Sequence, residues 1–349
     1  MSIKRFLKSL AAAAMTAAIV TVMSTAAFAA TDTGRDSTLT VSKTITSETY
    51  DKAPNAEFSY AVTAAQGHDA TAISQKVYDG VMDAISVGSN GKITFTTADA
   101  LTAEKTLAIT ADASKYPQPG IYRYTLTETA PTVDGLTDDT KNSYDFDVYV
   151  VNGTSGYQID AIIPVGQESA TSGKSEAAFE ATYTTTDLVL SKTVTGNQGD
   201  TQKDFSFTVE ITADASNAGA TLKTTKGTTT GTITVPSTVG QKVSTTVTLK
   251  HGESFKIEGL VNDAYSITET DYSADGYTTT ISNNGTSITD SLTARGTVEA
   301  TEVKVAYTND KTVVPPTGII LTYAPYILLV AGAAVFAVVF FRRRRNAED

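Results

Sequence analysis

The sequence has no cysteine among its 349 residues. Disulfides are the usual covalent reinforcement of exported proteins. No disulfide can form here. Any covalent reinforcement of the fold must therefore come from other side chains.

Histidine is nearly absent, since His68 and His251 are the only two and lie in unrelated segments. A zinc site or a histidine-based catalytic triad is therefore disfavoured. The acidic pairs Asp138-Asp139 and Asp145/Asp147 could bind calcium weakly, but they lack the spacing of a calcium loop. Solvated strand edges are the better interpretation of these pairs. We expect no metal site and no cofactor.

Positive charge is also scarce, with 27 Lys and Arg against 38 Asp and Glu and a formal net charge of −11. Binding to nucleic acid or anionic lipid needs clustered basic residues, so we expect no nucleic-acid partner. Solubility is the simpler explanation of the acidic surface.

The N-terminus has the three parts of a secretory signal peptide. They are a basic region (Lys4, Arg5 and Lys8), an apolar run from Leu10 to Met23, and a small-x-small cleavage site that ends at Ala29. Residues 1–29 are therefore predicted to be removed on export.

The C-terminus, residues 312–349, contains a second signal. Val314, Pro315, Pro316, Thr317 and Gly318 precede an apolar run over residues 319–341, which four arginines follow. The run is long enough to cross the ~30 Å hydrocarbon core of a bilayer, and the arginines would stay on the cytoplasmic side. This order resembles the sorting signal of Gram-positive cell-wall proteins, which sortase cuts between Thr and Gly. An ordinary membrane anchor with a stiff Pro-Pro stalk is the alternative.

Between these signals, short alternating runs rich in Thr, Val and Tyr predict an all-β fold of antiparallel sandwiches. One helix is predicted from Asp69 to Ile85. An internal repeat indicates two tandem domains, residues 30–186 and 187–311. Its matching segments are Leu39 to Lys43 with Leu188 to Lys192, Phe58 to Val62 with Phe205 to Val209, and Tyr124 to Glu128 with Tyr265 to Glu269.

In the second copy Lys192 lies in the first strand, Glu269 in a late strand and Asn309 in the last strand. First and last strands can be neighbours in a sandwich. Burial disfavours charge, so a neutral lysine could attack an amide that a protonated glutamate polarises, which releases ammonia and leaves a Lys-Asn isopeptide bond. A structural salt bridge between Lys192 and Glu269, with Asn309 as a turn residue, is the alternative.

This repeat pattern ahead of a sorting signal is similar to the backbone pilins of Gram-positive cocci of the T-antigen type. The resemblance covers essentially the whole mature chain. It implies two immunoglobulin-like domains, a bond between Lys192 and Asn309, and Glu269 as the catalytic acid.

The first copy departs from the family pattern. Lys43 and Glu128 match, but Ala181 stands where the family has asparagine. Alanine offers no side-chain carbonyl carbon, so we expect no isopeptide bond at this position and an ion pair between Lys43 and Glu128.

The family also needs a lysine that joins one subunit to the next. Lys174, seven residues before Ala181 in a Ser- and Gly-containing loop, resembles it. The exposed residues Lys203 and Lys226 are alternatives.

The resemblance implies a structural protein and sortase substrate rather than an enzyme. Its expected partners are a pilin-type sortase, other copies of itself through Thr317 and Lys174, peptidoglycan, and tip and basal pilins. Its expected location is the cell surface, in a wall-anchored pilus, after transient membrane anchoring. A monomeric wall-anchored adhesin that binds a host ligand is the alternative function.

Overall fold

A computed structural model describes residues 37–48, 50–67, 69–70, 75–101, 103–166, 176–299, 301–314 and 318–345. Strands make up most of this part of the chain, and they form two tandem sandwiches followed by one long helix. The prediction of an all-β fold with two immunoglobulin-like domains is confirmed.

The first domain pairs a five-stranded sheet, of order β5-β7-β1-β12-β9, with a seven-stranded sheet whose main path is β11-β10-β8-β2-β6. Short β3 and β4 extend the second sheet, where β4 runs parallel to β8. The strands are β1 (Thr38–Thr46), β2 (Ala56–Ala64), β3 (Asp69–Ala70), β4 (Gln75–Asp79), β5 (Ile85–Val87), β6 (Lys92–Phe95), β7 (Lys105–Ala111), β8 (Gly120–Thr129), β9 (Leu136–Asp138), β10 (Ser143–Gly153), β11 (Gly156–Pro164) and β12 (Glu176–Tyr183).

The second domain pairs a seven-stranded sheet, of order β16-β15-β18-β13-β23-β20-β21, with a four-stranded sheet of order β17-β14-β19-β22. The strands are β13 (Thr186–Thr195), β14 (Phe205–Thr212), β15 (Thr221–Lys226), β16 (Thr229–Thr234), β17 (Lys242–Leu249), β18 (Ser254–Leu260), β19 (Ala264–Glu269), β20 (Thr278–Asn283), β21 (Thr286–Ile288), β22 (Thr293–Thr297) and β23 (Val303–Asp310).

Each domain closes by pairing its first strand with its last in parallel, β1 with β12 and β13 with β23. Alternate side chains of these strands enter the sandwich, and the core between the sheets is lined by aromatic and branched residues. The two parallel pairs hold equivalent positions in the two domains.

The helix predicted from Asp69 to Ile85 is wrong. In its described residues this segment contains β3, β4 and a 3₁₀ turn from Met82 to Ala84, and Ile85 begins β5. Val77 lies opposite Ile121 of β8, so sheet pairing takes precedence over the weak helical spacing.

The two domains follow each other with a very short connection, because β12 ends at Tyr183 and β13 begins at Thr186. Val261 of the second domain is buried within the core cluster of the first. The backbone N–H of Asn55 donates to the carbonyl oxygen of Ser216 at 2.9 Å. The domains are therefore packed and hydrogen-bonded against each other.

After β23 the chain stays attached to the second domain for three more residues. The Lys311 N–H donates to the carbonyl of Thr195 at 3.0 Å. The Asn197 side chain then makes two hydrogen bonds to the backbone of Val313. Asn197 Nδ2 donates to the Val313 carbonyl oxygen, and Asn197 Oδ1 accepts from the Val313 N–H, each at 2.9 Å. Val314 is 80% exposed. We call this pair of hydrogen bonds the Asn197 clamp.

Helix α1 (Gly318–Arg345) carries the apolar run of the C-terminal signal. Residues Pro325–Arg343 have a mean hydropathy of 2.0, and the helix is long and apolar enough to cross a membrane. This stretch packs against nothing else in the described chain.

Candidate cross-linking site

Three side chains with the predicted chemistry meet inside the second domain. Lys192 on β13 lies opposite Tyr307 of β23, and Val194 lies opposite Asn309, so Lys192 and Asn309 are diagonal neighbours on one face. Glu269, at the end of β19, reaches them from the other sheet. The residues Lys192, Glu269 and Asn309 are at most 1% exposed.

The Glu269 carboxylate lies between the amine and the amide. Its Oε1 is 3.0 Å from Lys192 Nζ, and it accepts a hydrogen bond from Asn309 Nδ2 at 3.1 Å. One oxygen atom therefore touches both nitrogen atoms that would exchange a proton during amide transfer.

Thr279 on β20 completes the site, and no sequence pattern pointed to it. It lies directly opposite Asn309. Its hydroxyl oxygen is 3.0 Å from Glu269 Oε2 and 3.1 Å from Asn309 Oδ1. A hydroxyl has one proton, so it donates to one of these oxygens at a time. When it donates to Oδ1, it polarises the amide carbonyl.

The surroundings of Lys192 favour its neutral form. Nζ lies 4.3 Å from the centre of the Phe205 ring and 5.9 Å from that of Phe207. Burial lowers the pKa of Lys192 to about 8, against the opposing attraction of Glu269. Within the described residues Nζ has no hydrogen bond of acceptable geometry, despite its 3.0 Å approach to Glu269.

The first domain repeats this arrangement with one change. Lys43 lies opposite Phe179 and Ile45 lies opposite Ala181, so Ala181 holds the position that Asn309 holds in the second domain. Lys43 Nζ is 2.7 Å from Glu128 Oε1, and both side chains are at most 1% exposed. The Phe58 ring lies 4.2 Å from Nζ, as Phe205 does beside Lys192.

Glu128 is further held by Tyr60, whose hydroxyl donates to Glu128 Oε2. Burial raises the pKa of Glu128, although hydrogen bonds from Lys43 and Tyr60 oppose the shift. The first domain thus keeps the buried lysine and glutamate but lacks the amide at Ala181.

Asp138 supplies a carboxyl group that the sequence did not assign to this site. Its Oδ1 accepts a hydrogen bond from Lys43 Nζ at 2.6 Å, and its side chain is only 23% exposed. The interpretation of Asp138 as a solvated strand edge is therefore wrong, while its neighbour Asp139 is exposed. Asp147 is also buried, in a two-point pair with Arg123.

Other residues singled out in the sequence are placed as follows. Lys174, Pro315, Pro316, Thr317 and His68 lie outside the described residues. Gly318 is the first residue of α1. His251 Nδ1 accepts from the backbone N–H of Val194 at 2.9 Å. In the part of the chain that is described, His, Cys, Asp and Glu form no cluster able to hold a metal ion.

Fold and site together define a class: tandem immunoglobulin-like domains whose first strand carries a buried lysine that meets a buried glutamate of the opposite sheet. Known families agree with this class. Residues 39–184 match a family model described as a Spy0128-like isopeptide containing domain (FctA). Residues 186–311 match a domain of unknown function, DUF7601.

Two proteins of Streptococcus pyogenes are similar in sequence. A pilin of serotype M1 is 31% identical over 268 residues, which cover 73% of this chain and 77% of that protein. The pilus tip adhesin Cpa is 37% identical over 134 residues, or 38% of this chain and 18% of that protein.

Solved structures agree in fold. The major pilin from Streptococcus pyogenes superposes with a TM-score of 0.62 at 23% identity, covering 79% of this chain and 99% of the other. The major pilin T3.2 from serotype GAS13637 gives a TM-score of 0.62 at 24% identity, covering 79% and 98%. The chain belongs to the family of Gram-positive backbone pilins. These are structural subunits of pili.

Proposed function

We propose that this chain is the backbone subunit of a sortase-assembled, covalently polymerised pilus, and that Lys192 and Asn309 form an intramolecular isopeptide bond in its second domain. The carrying observation is the buried contact of Glu269 Oε1 with both Lys192 Nζ and Asn309 Nδ2. A structural salt bridge between Lys192 and Glu269 would not need the buried amide of Asn309 beside it.

The chemistry follows from these contacts. With a pKa of about 8, roughly a tenth of Lys192 is neutral at pH 7. The Nζ electron pair attacks Cγ of Asn309, and Glu269 Oε1 carries a proton from Nζ to Nδ2. The bond from Cγ to Nδ2 then breaks with its electron pair on nitrogen, and ammonia leaves. No other reactant is needed.

Thr279 contributes to this step by donating to Asn309 Oδ1 while negative charge develops there. Replacing Thr279 with valine keeps the shape but removes the donor. We expect bond formation to slow by about 100-fold, because removal of one oxyanion donor typically costs that much. Newly synthesised chain from cell-free translation, sampled over time on denaturing gels, would measure the rate through the faster migration of the cross-linked form.

Thr280→Val is the matched control, since Thr280 is the next residue on β20 and is exposed. It should react as fast as the wild type. Equal rates for Thr279→Val and wild type would remove Thr279 from the reaction.

Polymerisation would use two positions of the subunit, Thr317 and Lys174. Sortase would cut between Thr317 and Gly318, while α1 holds the precursor in the membrane, and Lys174 of the next subunit would take the acyl group. Tip and basal pilins and peptidoglycan would complete and anchor the fibre. Lys203 and Lys226 are less suitable acceptors, because each is about one third exposed and pairs with a carboxylate, Asp275 and Glu253 respectively.

This arrangement defines a path for tension along the fibre. Force that enters at Lys174 would pass along β12 into β13, cross from Lys192 to Asn309, and leave at Thr317. The rest of the second domain is bypassed by covalent bonds, and most of the first domain lies off this path. The proposed bond between Lys192 and Asn309 is therefore the cross-link that would carry tension along the fibre.

Incubation with a pilin-type sortase tests the proposed function. We expect a ladder of covalent multimers that disappears in Lys174→Ala and persists in Lys203→Ala and Lys226→Ala. Wall attachment of single subunits without a ladder would instead support a monomeric adhesin. A ladder that survives in Lys174→Ala but disappears in one of the other two variants would move the linkage to that lysine.

A further inference from the structure

We propose that Lys43 forms a second intramolecular isopeptide bond, to the side chain of Asp138, with loss of water rather than ammonia. The inference concerns the first domain and goes beyond the proposed function. It does not need the bond between Lys192 and Asn309, and the two reactions change the mass of the chain differently.

The position of Asp138 carries the inference. Asp138 lies on β9 directly opposite Ala181, as Thr279 lies on β20 directly opposite Asn309. The reactive side-chain carbon that is missing at Ala181 of β12 is thus offered by Asp138 of the neighbouring strand. The small side chain of Ala181 leaves room for Asp138 to reach Lys43, where Nζ and Oδ1 are 2.6 Å apart.

The environment of Lys43 shares three features with that of Lys192. Lys43 is fully buried, an aromatic ring lies 4.2 Å from Nζ, and a buried glutamate lies 2.7 Å from it. Burial raises the pKa of that glutamate, Glu128, which helps it to hold and release a proton.

The contacts of Lys43 Nζ include acceptors for the protons that this atom must lose. Nζ donates to Glu128 Oε1, Asp138 Oδ1 and the carbonyl oxygen of Glu180. An ammonium ion must lose two protons to become an amide nitrogen, and two carboxylates are in contact to receive them. Of the Lys43, Glu128 and Asp138 side chains, only that of Asp138 is partly exposed, at 23%, which gives it a route to solvent.

The step balances without a further reactant. Glu128 takes one proton from Nζ, and the freed electron pair attacks Cγ of Asp138. The second proton leaves Nζ as the tetrahedral carbon collapses, and the bond from Cγ to one Oδ breaks with its electron pair on oxygen. That oxygen receives both protons and leaves as water, so an ammonium and a carboxylate become one neutral amide.

A permanent ion cluster is the competing arrangement. In it, Lys43 stays charged between Glu128 and Asp138, and two carboxylates surround one ammonium ion. The cluster would hold β1, β8 and β9 together by charge alone. It predicts an unchanged mass for the first domain, so mass spectrometry separates the two arrangements.

The experiment is high-resolution mass spectrometry of the exported chain, intact and after denaturation and trypsin digestion. Trypsin cuts after Lys and Arg, so an unmodified first domain gives separate peptides on either side of Lys43. We expect instead residues 36–52, uncut at Lys43, joined to residues 124–141 with the loss of one water. The bond of the second domain gives a separate pair, residues 175–203 with 305–311, and the loss of one ammonia.

Variants at two adjacent aspartates provide the controls. Asp138→Ala should abolish the first-domain peptide pair, and the exposed neighbour Asp139→Ala should leave it intact. Asp138→Asn keeps the size of the side chain and should form the bond with loss of ammonia in place of water. This last variant reports the chemistry even if Asp138→Ala folds poorly.

Complete tryptic cleavage at Lys43 in the folded wild-type chain would overturn the inference, and so would linkage of Lys43 to any residue other than Asp138. The second-domain pair serves as an internal reference. Its presence without the first-domain pair rejects this inference alone, whereas its absence rejects the proposed bond between Lys192 and Asn309.

Discussion

Replacing Asn309 with alanine is expected to lower the unfolding temperature of the second domain by about 15 °C. The proposed bond closes a loop of roughly 120 residues, and such a cross-link contributes about 4–5 kcal/mol by restricting the unfolded chain. For a domain of this size each kcal/mol corresponds to about 3–4 °C. Scanning calorimetry of wild-type and variant chains would measure the change, and mass spectrometry would show that the ammonia is retained.

Two further variants separate the bond from the packing of the amide. Asn309→Asp offers a carboxyl carbon in the same place, so it should form the bond with loss of water. Its unfolding temperature should be close to that of the wild type. Glu269→Gln keeps both bond partners but removes the proton carrier. It should therefore remain without the cross-link and unfold at the same temperature as Asn309→Ala. Unfolding of Asn309→Ala at the wild-type temperature would contradict the proposed bond.

Moving the reacting group from β9 to β12 should change the chemistry of the first domain. In the double variant Asp138→Ala with Ala181→Asn, the new amide lies diagonal to Lys43, in the register that Asn309 has with Lys192. Side-chain volume is approximately conserved, because one side chain shrinks where its direct neighbour grows. We expect Lys43 to bond to residue 181 with loss of ammonia.

The readout is the identity of the peptide joined to residues 36–52. In the double variant it should contain position 181 instead of position 138, and the chain should lose two molecules of ammonia in total. Asp138→Ala alone should leave Lys43 open to trypsin. A double variant that remains open at Lys43 would mean that the first domain cannot support amide transfer, despite its buried lysine and glutamate.

Lys192, Glu269 and Asn309 could be found in the sequence because each lies in a clear alternating strand. The repeat places Lys192 on the first strand and Glu269 on a late strand, and the family resemblance adds Asn309 on the last strand. Closure of a sandwich brings these strands together. Alternation also identifies the apolar surroundings of Lys192. These residues were therefore accessible without coordinates.

Asp138 and Thr279 were not accessible in this way. Asp138 ends a strand of three residues, and its acidic neighbours look like an exposed turn. Thr279 lies in a run of threonines in which no position stands out. Both reach their sites through pairing with the last strand of the domain. A three-residue edge strand and a uniform run of threonines leave no periodic pattern from which that pairing could be predicted.

The helix predicted from Asp69 to Ile85 failed for a related reason. Its apolar spacing came from only a few residues, and Gly80 weakened it. In the folded chain Gly80 packs against the ring of Tyr124, where a Cβ atom would approach within 2.7 Å. The segment is shaped by a neighbouring strand, and spacing along one segment does not contain that information.

The Asn197 clamp fixes the chain to the second domain as far as Val313. In the proposed membrane-bound precursor, only Val314 to Thr317 remain between the clamped Val313 and the start of α1, and four extended residues span at most about 14 Å. A transpeptidase acting on that precursor would work on the short stretch between the second domain and α1. Loss of the two Asn197 hydrogen bonds would lengthen the free segment between the second domain and α1 by about two residues. Asn197 would thereby control how easily the enzyme reaches the cleavage site.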